Sequence, residues 1–241
     1  MAVSVLKDAK IYIGGYDLSG DHNKLALAYE ADAVDVTPFG ASTKKRICGL
    51  FDSGLELEGF WDADALNQKP DPVYFSKLAL ADVFSVCPDG ASSGALAYSM
   101  QSALASYSPQ GKIGDVFAFK VKASGSGTLV RETVFENRTT TATGTGTGYN
   151  LGAVSSGQAL WAAIHVLGVS GTSPTLDVVI ESDDSSGFTT PLTRLAFTQK
   201  TGIGAEMISV AGPITDTWFR AKWTIGGTSP SFTFIVVVGI K

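Results

Sequence analysis

The sequence contains one unusual repetition, a turn followed by a strand pattern. The segment that begins at Gly171 is GTSPTLDVVI, and the segment that begins at Gly227 is GTSPSFTFIV. Each copy follows an apolar, strand-like stretch, at residues 164–169 and 221–225. Proline has no amide hydrogen to donate to a sheet, so it suits the first residue of a strand. We therefore predict two β-hairpins with the same connection, in a small β-sandwich with internal pseudo-symmetry. Two unrelated loops that converged on one favourable turn are the alternative.

Alternation of apolar and polar residues with a period of two extends the β prediction to the rest of the chain. It is clearest at residues 24–30 and 54–61, where leucines recur at every second position. The 27 glycines can supply the turns that many short strands require. Two short helices are also predicted, over residues 72–79 and, from apolar residues at helical spacing, over residues 94–107.

A threonine-rich segment at residues 139–148 separates two parts of the chain. We predict a domain boundary there. Residues 1–139 are expected to form a β-barrel or sandwich with a short flanking helix, and residues 140–241 a second, smaller β-sandwich domain. The segment itself is predicted to be either a linker or an edge strand.

Residue types that carry out catalysis are sparse. Of the two histidines, His165 interrupts an apolar strand pattern and is expected to be hydrogen-bonded within the sheet, whereas His22 lies in a polar turn. The densest carboxylates, at residues 62–64 and 183–184, are too few for calcium, which needs six to eight oxygen ligands. We therefore predict no catalytic residues, no metal site, no cofactor and no enzymatic activity. Cys48 and Cys87 are both predicted to be buried free thiols.

The charge distribution argues against tight binding to duplex DNA. The formal net charge is −5, and neutralising phosphates requires clustered lysine and arginine. One compact basic run occurs, at residues 44–46, and such a run is by default a solvated loop. The first eight residues lack the features of a signal peptide, and no apolar run reaches the roughly 18 residues of a membrane helix. We expect a soluble protein with no membrane partner.

Two motifs in the first half resemble the phage tail tube proteins, also called major tail proteins. They are residues 35–40 (DVTPFG) and, after the basic loop, residues 47–62 (ICGLFDSGLELEGFWD). That family typically combines a V-T-x-F-G element, a charged loop and a G-L-x-D element leading into a strand with a G-x-W-D-like end. The resemblance covers about residues 10–135. The second half looks like the all-β accessory domains of phage virion proteins.

The resemblance implies rings of identical subunits stacked around a channel through which DNA passes. The family's long loop contacts neighbouring subunits, and here this role falls on Thr37, Phe39, Lys44, Lys45, Arg46 and Leu50. The family also presents acidic side chains to the lumen, for which Glu56 and Glu58 are the candidates. A negative wall repels phosphates, so the DNA would pass without tight binding. Residues 140–241 would coat the outside of the tube.

The implied partners are copies of the chain itself and other phage virion proteins, in a virion assembled in the cytoplasm of a bacterial host. Two other functions remain open at this point. Capsid decoration (cement) proteins are also β-rich, acidic and without catalytic residues, and they assemble as trimers. Four tryptophans leave a glycan-binding virion module as a third hypothesis.

Overall fold

The structure, a computed structural model, describes residues 6–64 and 68–241 and is mainly β. Within these residues it contains one α-helix, α1 (Pro70–Lys77), and no helix that is long and apolar enough to cross a membrane. The predicted fold class, mainly β with a short flanking helix, is confirmed. The strands are β1 (Lys10–Ile13), β2 (Tyr16–Asp17), β3 (His22–Asp35), β4 (Arg46–Phe60), β5 (Ala81–Cys87), β6 (Leu96–Gln110), β7 (Ala118–Gly125), β8 (Val130–Thr140), β9 (Gly144–Thr145), β10 (Tyr149–Asn150), β11 (Ala159–Asp183), β12 (Leu192–Ala196), β13 (Gly204–Ala211) and β14 (Trp218–Ile240).

In the N-terminal half, seven strands curl around one core. The antiparallel order is β2–β1–β5–β6–β7–β4–β3. Ile13 from one end of this order and Leu57 from the other lie in the same buried cluster. The helix begins at Pro70, where the missing amide hydrogen costs no helical bond, and buries Val73 and Tyr74 in that cluster. The sheet is therefore closed over a core with the helix at its side.

The C-terminal half is built on one long antiparallel ribbon in which β11 pairs with β14 along its whole length. A straight strand of 25 residues would be about 80 Å long at about 3.3 Å per residue. Residues from both ends of the ribbon, such as Ile164 and Ile180, nevertheless lie in one buried cluster. The ribbon therefore folds over on itself, and its two halves form the two layers of a sandwich. Strands β13 and β8 extend one layer, and β12, β9 and β10 extend the other.

The two GTSP turns lie opposite each other at the point where the ribbon folds. Gly171 and Gly227 have φ values of 112° and 111°, and Ser173 and Ser229 have φ values of 47° and 49°. The pairing register shifts on both sides of this point. The prediction of two hairpins is wrong, because each copy bends a strand that continues. The pseudo-symmetry exists as a local two-fold relation between β11 and β14.

The helix predicted over residues 94–107 is also wrong, since this segment is strand β6. Leu104 and Tyr107 suggest a helix because they are three residues apart and both contact the N-terminal core. A bulge between Leu104 and Ser106 shifts the alternation by one residue, so both side chains face the same side of a strand. β6 pairs with β5 along one side and with β8 and then β7 along the other, and these pairings supply the backbone bonds that a helix would make internally.

Strand β8 joins the two halves into one continuous sheet, because it pairs with β6 and with β14. A third buried cluster lies between the halves and includes Tyr12, Val134, Ala163 and Ile235. The threonine-rich segment continues β8 to Thr140 and then supplies β9 beside β14, as the edge-strand alternative predicts. The domain boundary after residue 139 stays a prediction.

We expect alanine at Gly171 or Gly227 to destabilise the ribbon fold. A Cβ at Gly171 would lie 2.8 Å from the Ser229 carbonyl oxygen, and one at Gly227 would lie 2.7 Å from the Ser173 carbonyl oxygen. Together with the positive φ, this should lower the free energy of unfolding by about 2 kcal/mol or more in urea titrations. Gly202→Ala is the matched control, because nothing lies within 4 Å of its added Cβ. Equal, small effects at all three positions would contradict the assignment of the bend.

Candidate functional site

The distal half of the β3–β4 hairpin projects away from the body of the protein. β3 and β4 pair from His22–Gly59 to Asp35–Arg46, but β4 pairs with β7 only between Gly54 and Phe60. Residues 30–52, named the arm here, therefore have no sheet partner other than each other in the part of the chain that the structure describes. A free-standing two-stranded ribbon is only marginally stable in water, so an arm of this kind gains stability when another surface covers it.

The root of the arm is anchored by aromatic and cationic contacts. The rings of Tyr29 and Phe51 stack with centroids 5.4 Å apart and an interplanar angle of 12°. The Lys241 ammonium lies 3.9 Å from the centroid of the Tyr29 ring and donates hydrogen bonds to the Tyr29 hydroxyl and, at 2.7 Å, to the Leu129 carbonyl. The bond from Lys241 lowers the pKa of Tyr29. The end of β14 thus fixes the point at which the arm leaves the body.

All six residues that the sequence assigned to an inter-subunit loop lie on this arm. Thr37, Phe39, Lys44 and Lys45 are in the loop between the strands, and Arg46 and Leu50 follow on β4. The loop is closed by Asp35, whose carboxylate accepts bonds from the Thr37 amide at 3.0 Å and from the Thr37 hydroxyl. These bonds lower the pKa of Asp35. The Lys45 amide donates to the Thr37 hydroxyl at 2.9 Å, which holds the start of the basic run in place.

The arm carries large apolar side chains as well as the basic run, and these apolar side chains face solvent. Phe39 is fully exposed, Leu50 is 82% exposed and Phe51 is 67% exposed. Large apolar side chains grouped in this way on a surface mark a contact site more often than a solvated loop. Cys48 is exposed on the same arm, so the prediction of two buried thiols is wrong for Cys48 and confirmed for Cys87. Cys48 lies beyond the last support from β7, which strand periodicity alone does not reveal.

Glu56 and Glu58, the predicted lumen-facing residues, lie on the outer face of β4 and are ion-paired. Lys122 of β7 is 2.6 Å from Glu56. Lys24 of β3 is 2.7 Å from Glu58, and Lys120 of β7 is 3.4 Å from it. Lys122 lowers the pKa of Glu56, and Lys24, with Lys120 beside it, lowers that of Glu58. Two carboxylates and three ammonium groups thus make a mixed ladder across three strands.

Neither histidine has an arrangement typical of catalysis. The His22 ring bonds the Leu18 carbonyl at 2.6 Å and the Tyr74 hydroxyl at 2.7 Å. His165 is fully buried, and its Nδ1 lies 2.7 Å from the Gly14 carbonyl oxygen. A carbonyl can only accept, so the neutral His165 ring carries its proton on Nδ1 and accepts at Nε2. The prediction of a hydrogen-bonded sheet histidine is confirmed.

His165 begins a buried polar chain between the two halves of the protein. Its Nε2 lies 2.7 Å from the Ser85 hydroxyl, which lies 2.6 Å from the Ser99 hydroxyl. Beside Ser99 is Glu132, which is 2% exposed and whose carboxylate oxygens have no hydrogen-bond partner among the described residues. Burial raises the pKa of Glu132 to about 8 and lowers the pKa of His165 to about 4. Both groups are therefore neutral at pH 7.

Sequence reasoning missed Glu132, although a signal was present. The sequence predicts a strand over residues 129–135. In that strand Glu132 lies two residues from Val130 and two from Val134, both of which are fully buried. Period-two alternation places the three side chains on one face.

In residues 6–64 and 68–241, no three of the histidine, cysteine, aspartate and glutamate side chains converge as a metal site would require.

Comparison with known proteins gives distant structural similarity. No family model matches the sequence, and a search of curated proteins gives no match. The chain is similar to a chain of the virion of a native gene transfer agent particle (16% identity, 53% of this chain and 97% of that chain, TM-score 0.39). It is similar to the sheath–tube complex of an extracellular contractile injection system, PVC, in its extended state (9% identity, 55% and 93%, TM-score 0.43). It is also similar to the phage SPP1 Dit (gp 19.1) protein (10% identity, 98% and 100%, TM-score 0.37).

We expect stability to decline between pH 6.5 and pH 8 because of Glu132. Above pH 4.5 the unfolded chain releases the Glu132 proton, whereas the folded chain retains it up to about pH 8. The free energy of unfolding therefore falls as pH rises through this range. His165 acts in the opposite direction, since its contribution is present above pH 6.5 and is lost as pH falls towards about 4. The two oppose each other below pH 6.5, and above it Glu132 alone lowers the free energy of unfolding by about 2 kcal/mol.

Urea unfolding at closely spaced pH values measures this dependence. Glu132→Gln keeps the shape of the side chain and removes the ionisation, so it should flatten the curve between pH 6.5 and pH 8. His165→Gln is the comparison variant, because it leaves Glu132 in place and should retain the decline. A decline that persists unchanged in Glu132→Gln would rule out this carboxyl as the cause.

Proposed function

We propose that this chain is a non-enzymatic structural protein of a phage virion that self-assembles into the stacked rings of a tail tube. The observation that carries the proposal is the arm, a β-ribbon with no support from the body, exposed apolar side chains and a basic tip. Burying such a surface is favourable by about 25 cal/mol per Å² of apolar area, and identical neighbours can supply the cover. Of the residues that resemble tail tube proteins, 35–40 and 47–52 lie on the arm, and 53–62 continue along β4 into the body.

In this proposal the arm contacts neighbouring copies, and the face with Glu56 and Glu58 lines the channel. The ion pairs on that face matter for DNA passage. Each of its three lysines lies within 3.4 Å of a carboxylate, although Lys24 and Lys120 share Glu58, so every lysine has an ionic partner within the subunit and the ladder as a whole carries one net positive charge. A channel lined by such pairs offers phosphates no unpaired cation to bind, which suits a duplex that must slide through. Residues 140–241 would then lie on the outside of the tube.

We expect charge reversal at the arm tip to block assembly without unfolding the subunit. The triple variant Lys44→Glu, Lys45→Glu and Arg46→Glu places three carboxylates on a fully exposed loop, so circular dichroism and thermal melting should stay unchanged. Negative-stain microscopy should show rings or tubes for the parent chain and dispersed subunits for the variant. The charge-preserving triple Lys44→Arg, Lys45→Arg and Arg46→Lys is the matched control and should assemble.

The particles seen in the same micrographs separate the competing functions. Tubes or rings with a central hole support the proposal. Discrete trimers that attach to empty capsids would indicate a decoration protein, and binding to polysaccharide arrays without self-association would indicate a glycan-binding module. Assembly of the charge-reversal triple at the parent's concentration would show that the arm tip is not the inter-subunit contact.

We expect removal of the two carboxylates to make the channel face bind DNA. Glu56→Gln with Glu58→Gln releases Lys24, Lys120 and Lys122 from their partners, and each free lysine can neutralise a phosphate. Fluorescence anisotropy with a short duplex at low salt should show binding roughly tenfold tighter than for the parent chain, with a steeper salt dependence. Adding Lys120→Gln and Lys122→Gln to the double variant should restore weak binding. Equal, weak binding by all three chains would argue against this face as the channel lining.

A further inference from the structure

Exposed large apolar side chains occur in two groups, at opposite ends of the β3–β4 hairpin. Among the described residues, only three such side chains lie outside these groups: Leu6, Leu192 and Ile203. The first group is on the arm and its root: Tyr29, Val34, Val36, Phe39, Ile47, Leu50 and Phe51. The second lies around α1 and the loop between β6 and β7: Phe60, Trp61, Phe75, Leu78, Leu80, Ile113, Val116 and Phe117. The proposed function uses the first group and leaves the second without a role.

Two residues of the second group, Phe75 and Leu78, line a depression of about 430 Å³ together with Asp71, Tyr107 and Pro109. We name this lining, together with the adjoining Trp61, the docking face. The Asp71 carboxylate fixes two of its walls, because one oxygen accepts from the Trp61 indole at 2.9 Å and from the Tyr107 hydroxyl at 2.8 Å. Phe75 is 75% exposed, since α1 buries its opposite side in the core. The depression is therefore a preformed, apolar recess with rigid walls.

The surroundings of the docking face are acidic, whereas the arm tip is basic. Residues 35–46 contain three cationic side chains and one carboxylate, Asp35, which accepts bonds from Thr37. Around the start of α1, the Lys69 ammonium lies 2.9 Å from Asp62 and 3.6 Å from Asp21. An adjoining depression is lined by Asp17, Asp21, Asp64, Lys10 and Lys69. Including Asp62 and Asp71, five carboxylates face two lysines, so the two surfaces are complementary in charge as well as in apolar character.

The arm does not contact the docking face of its own chain, since Phe39 at its tip is fully exposed. β3 begins at His22, whose ring bonds Tyr74 of α1 at 2.7 Å, and its 14 residues lead away to the arm tip. At about 3.3 Å per residue, the extended length of β3 is about 45 Å. A second copy, displaced along the hairpin, can bring its docking face to the tip. A head-to-tail contact of this kind repeats from copy to copy, and it closes a ring or extends a stack.

We propose that the arm tip of one copy docks on the docking face of the next, with Phe39 entering the depression and residues 44–46 facing the surrounding carboxylates. This inference rests on the proposed self-assembly and adds the receiving surface to it. Phe39 is the fully exposed aromatic at the tip, and a buried aromatic anchor in a preformed recess is the typical centre of an interface.

Cross-linking through the native arm cysteine tests the contact. Cys48 is exposed two residues from the basic run, and Cys87 is buried, so the parent chain presents one accessible thiol. Ser76→Cys adds a second thiol at an exposed position next to Phe75 and leaves the lining of the depression intact. With a short bismaleimide, this variant should give a ladder of covalent multimers that extends with protein concentration. Disulfide formation under mild oxidation gives the shorter-range version of the same measurement.

Three controls define the background. The parent chain shows any coupling between two copies of Cys48, and Ser76→Cys combined with Cys48→Ala shows any coupling between two docking faces. Ser186→Cys places a thiol at an exposed position in the C-terminal half, away from both surfaces.

Adding Phe39→Ala to the reporter variant should raise the protein concentration needed for half-maximal cross-linking roughly tenfold or more. Leu192→Ala, the matched truncation of an exposed apolar residue elsewhere, should leave that concentration unchanged.

The outcomes distinguish the docking contact from the proposed function. A ladder specific to the Cys48–docking face pair, weakened by Phe39→Ala, supports both. Rings or tubes in the microscope with cross-linking no higher than in the Ser186→Cys control overturn the docking face and leave the tube proposal intact. A chain that stays monomeric in the microscope and in the cross-linking assay overturns both. Melting temperatures of all variants, compared with the parent, identify any that fail to fold.

Discussion

The pairing of β11 with β14 is the interaction on which the rest of the structure depends. This ribbon supplies both layers of the C-terminal sandwich, and its β14 edge receives β8, through which the sheet continues into the N-terminal half. Its inner residues fill one core, while Ala163 and Ile235 on its opposite face pack against Tyr12 of β1. The two GTSP turns let each strand change direction without breaking the pairing, so one ribbon serves two layers.

In a body organised in this way, the β3–β4 hairpin is the element that leaves apolar side chains exposed to solvent. Its base is fixed on three sides: β7 pairs with β4, α1 bonds His22 through Tyr74, and Lys241 at the end of β14 contacts Tyr29. Its distal half has no such support. The contrast between a rigid root and an uncovered tip suits an element whose geometry is set before it meets a partner, since less conformational entropy is lost on binding.

The distribution of charge also differs between the supported base of the hairpin and its exposed tip. On the outer face of β3, β4 and β7, each lysine has a glutamate partner within the subunit. The basic run at the arm tip and the carboxylates around α1 lie at opposite ends of the hairpin, so contacts between these two surfaces form only between copies. The buried chain from His165 to Ser99 serves another purpose, because it joins polar groups of β1, β5, β6 and β11 across the junction of the two halves.

Period-two alternation in the sequence by itself determined that the chain is mainly β, and residue types determined that the loop at residues 37–46 is basic with an apolar Phe39. A short helix followed from local chemistry, predicted over residues 72–79 and found at Pro70–Lys77. Only the tertiary structure decided that β6 is a strand, because the bulge at Leu104 depends on its neighbours β5 and β7. Likewise, the GTSP turns look the same whether a strand ends or bends there, and only the pairing of β11 with β14 distinguishes the two. Exposure of the arm and the recess beside Phe75 also depend on where β7 and α1 pack, which is a long-range property that local sequence does not encode.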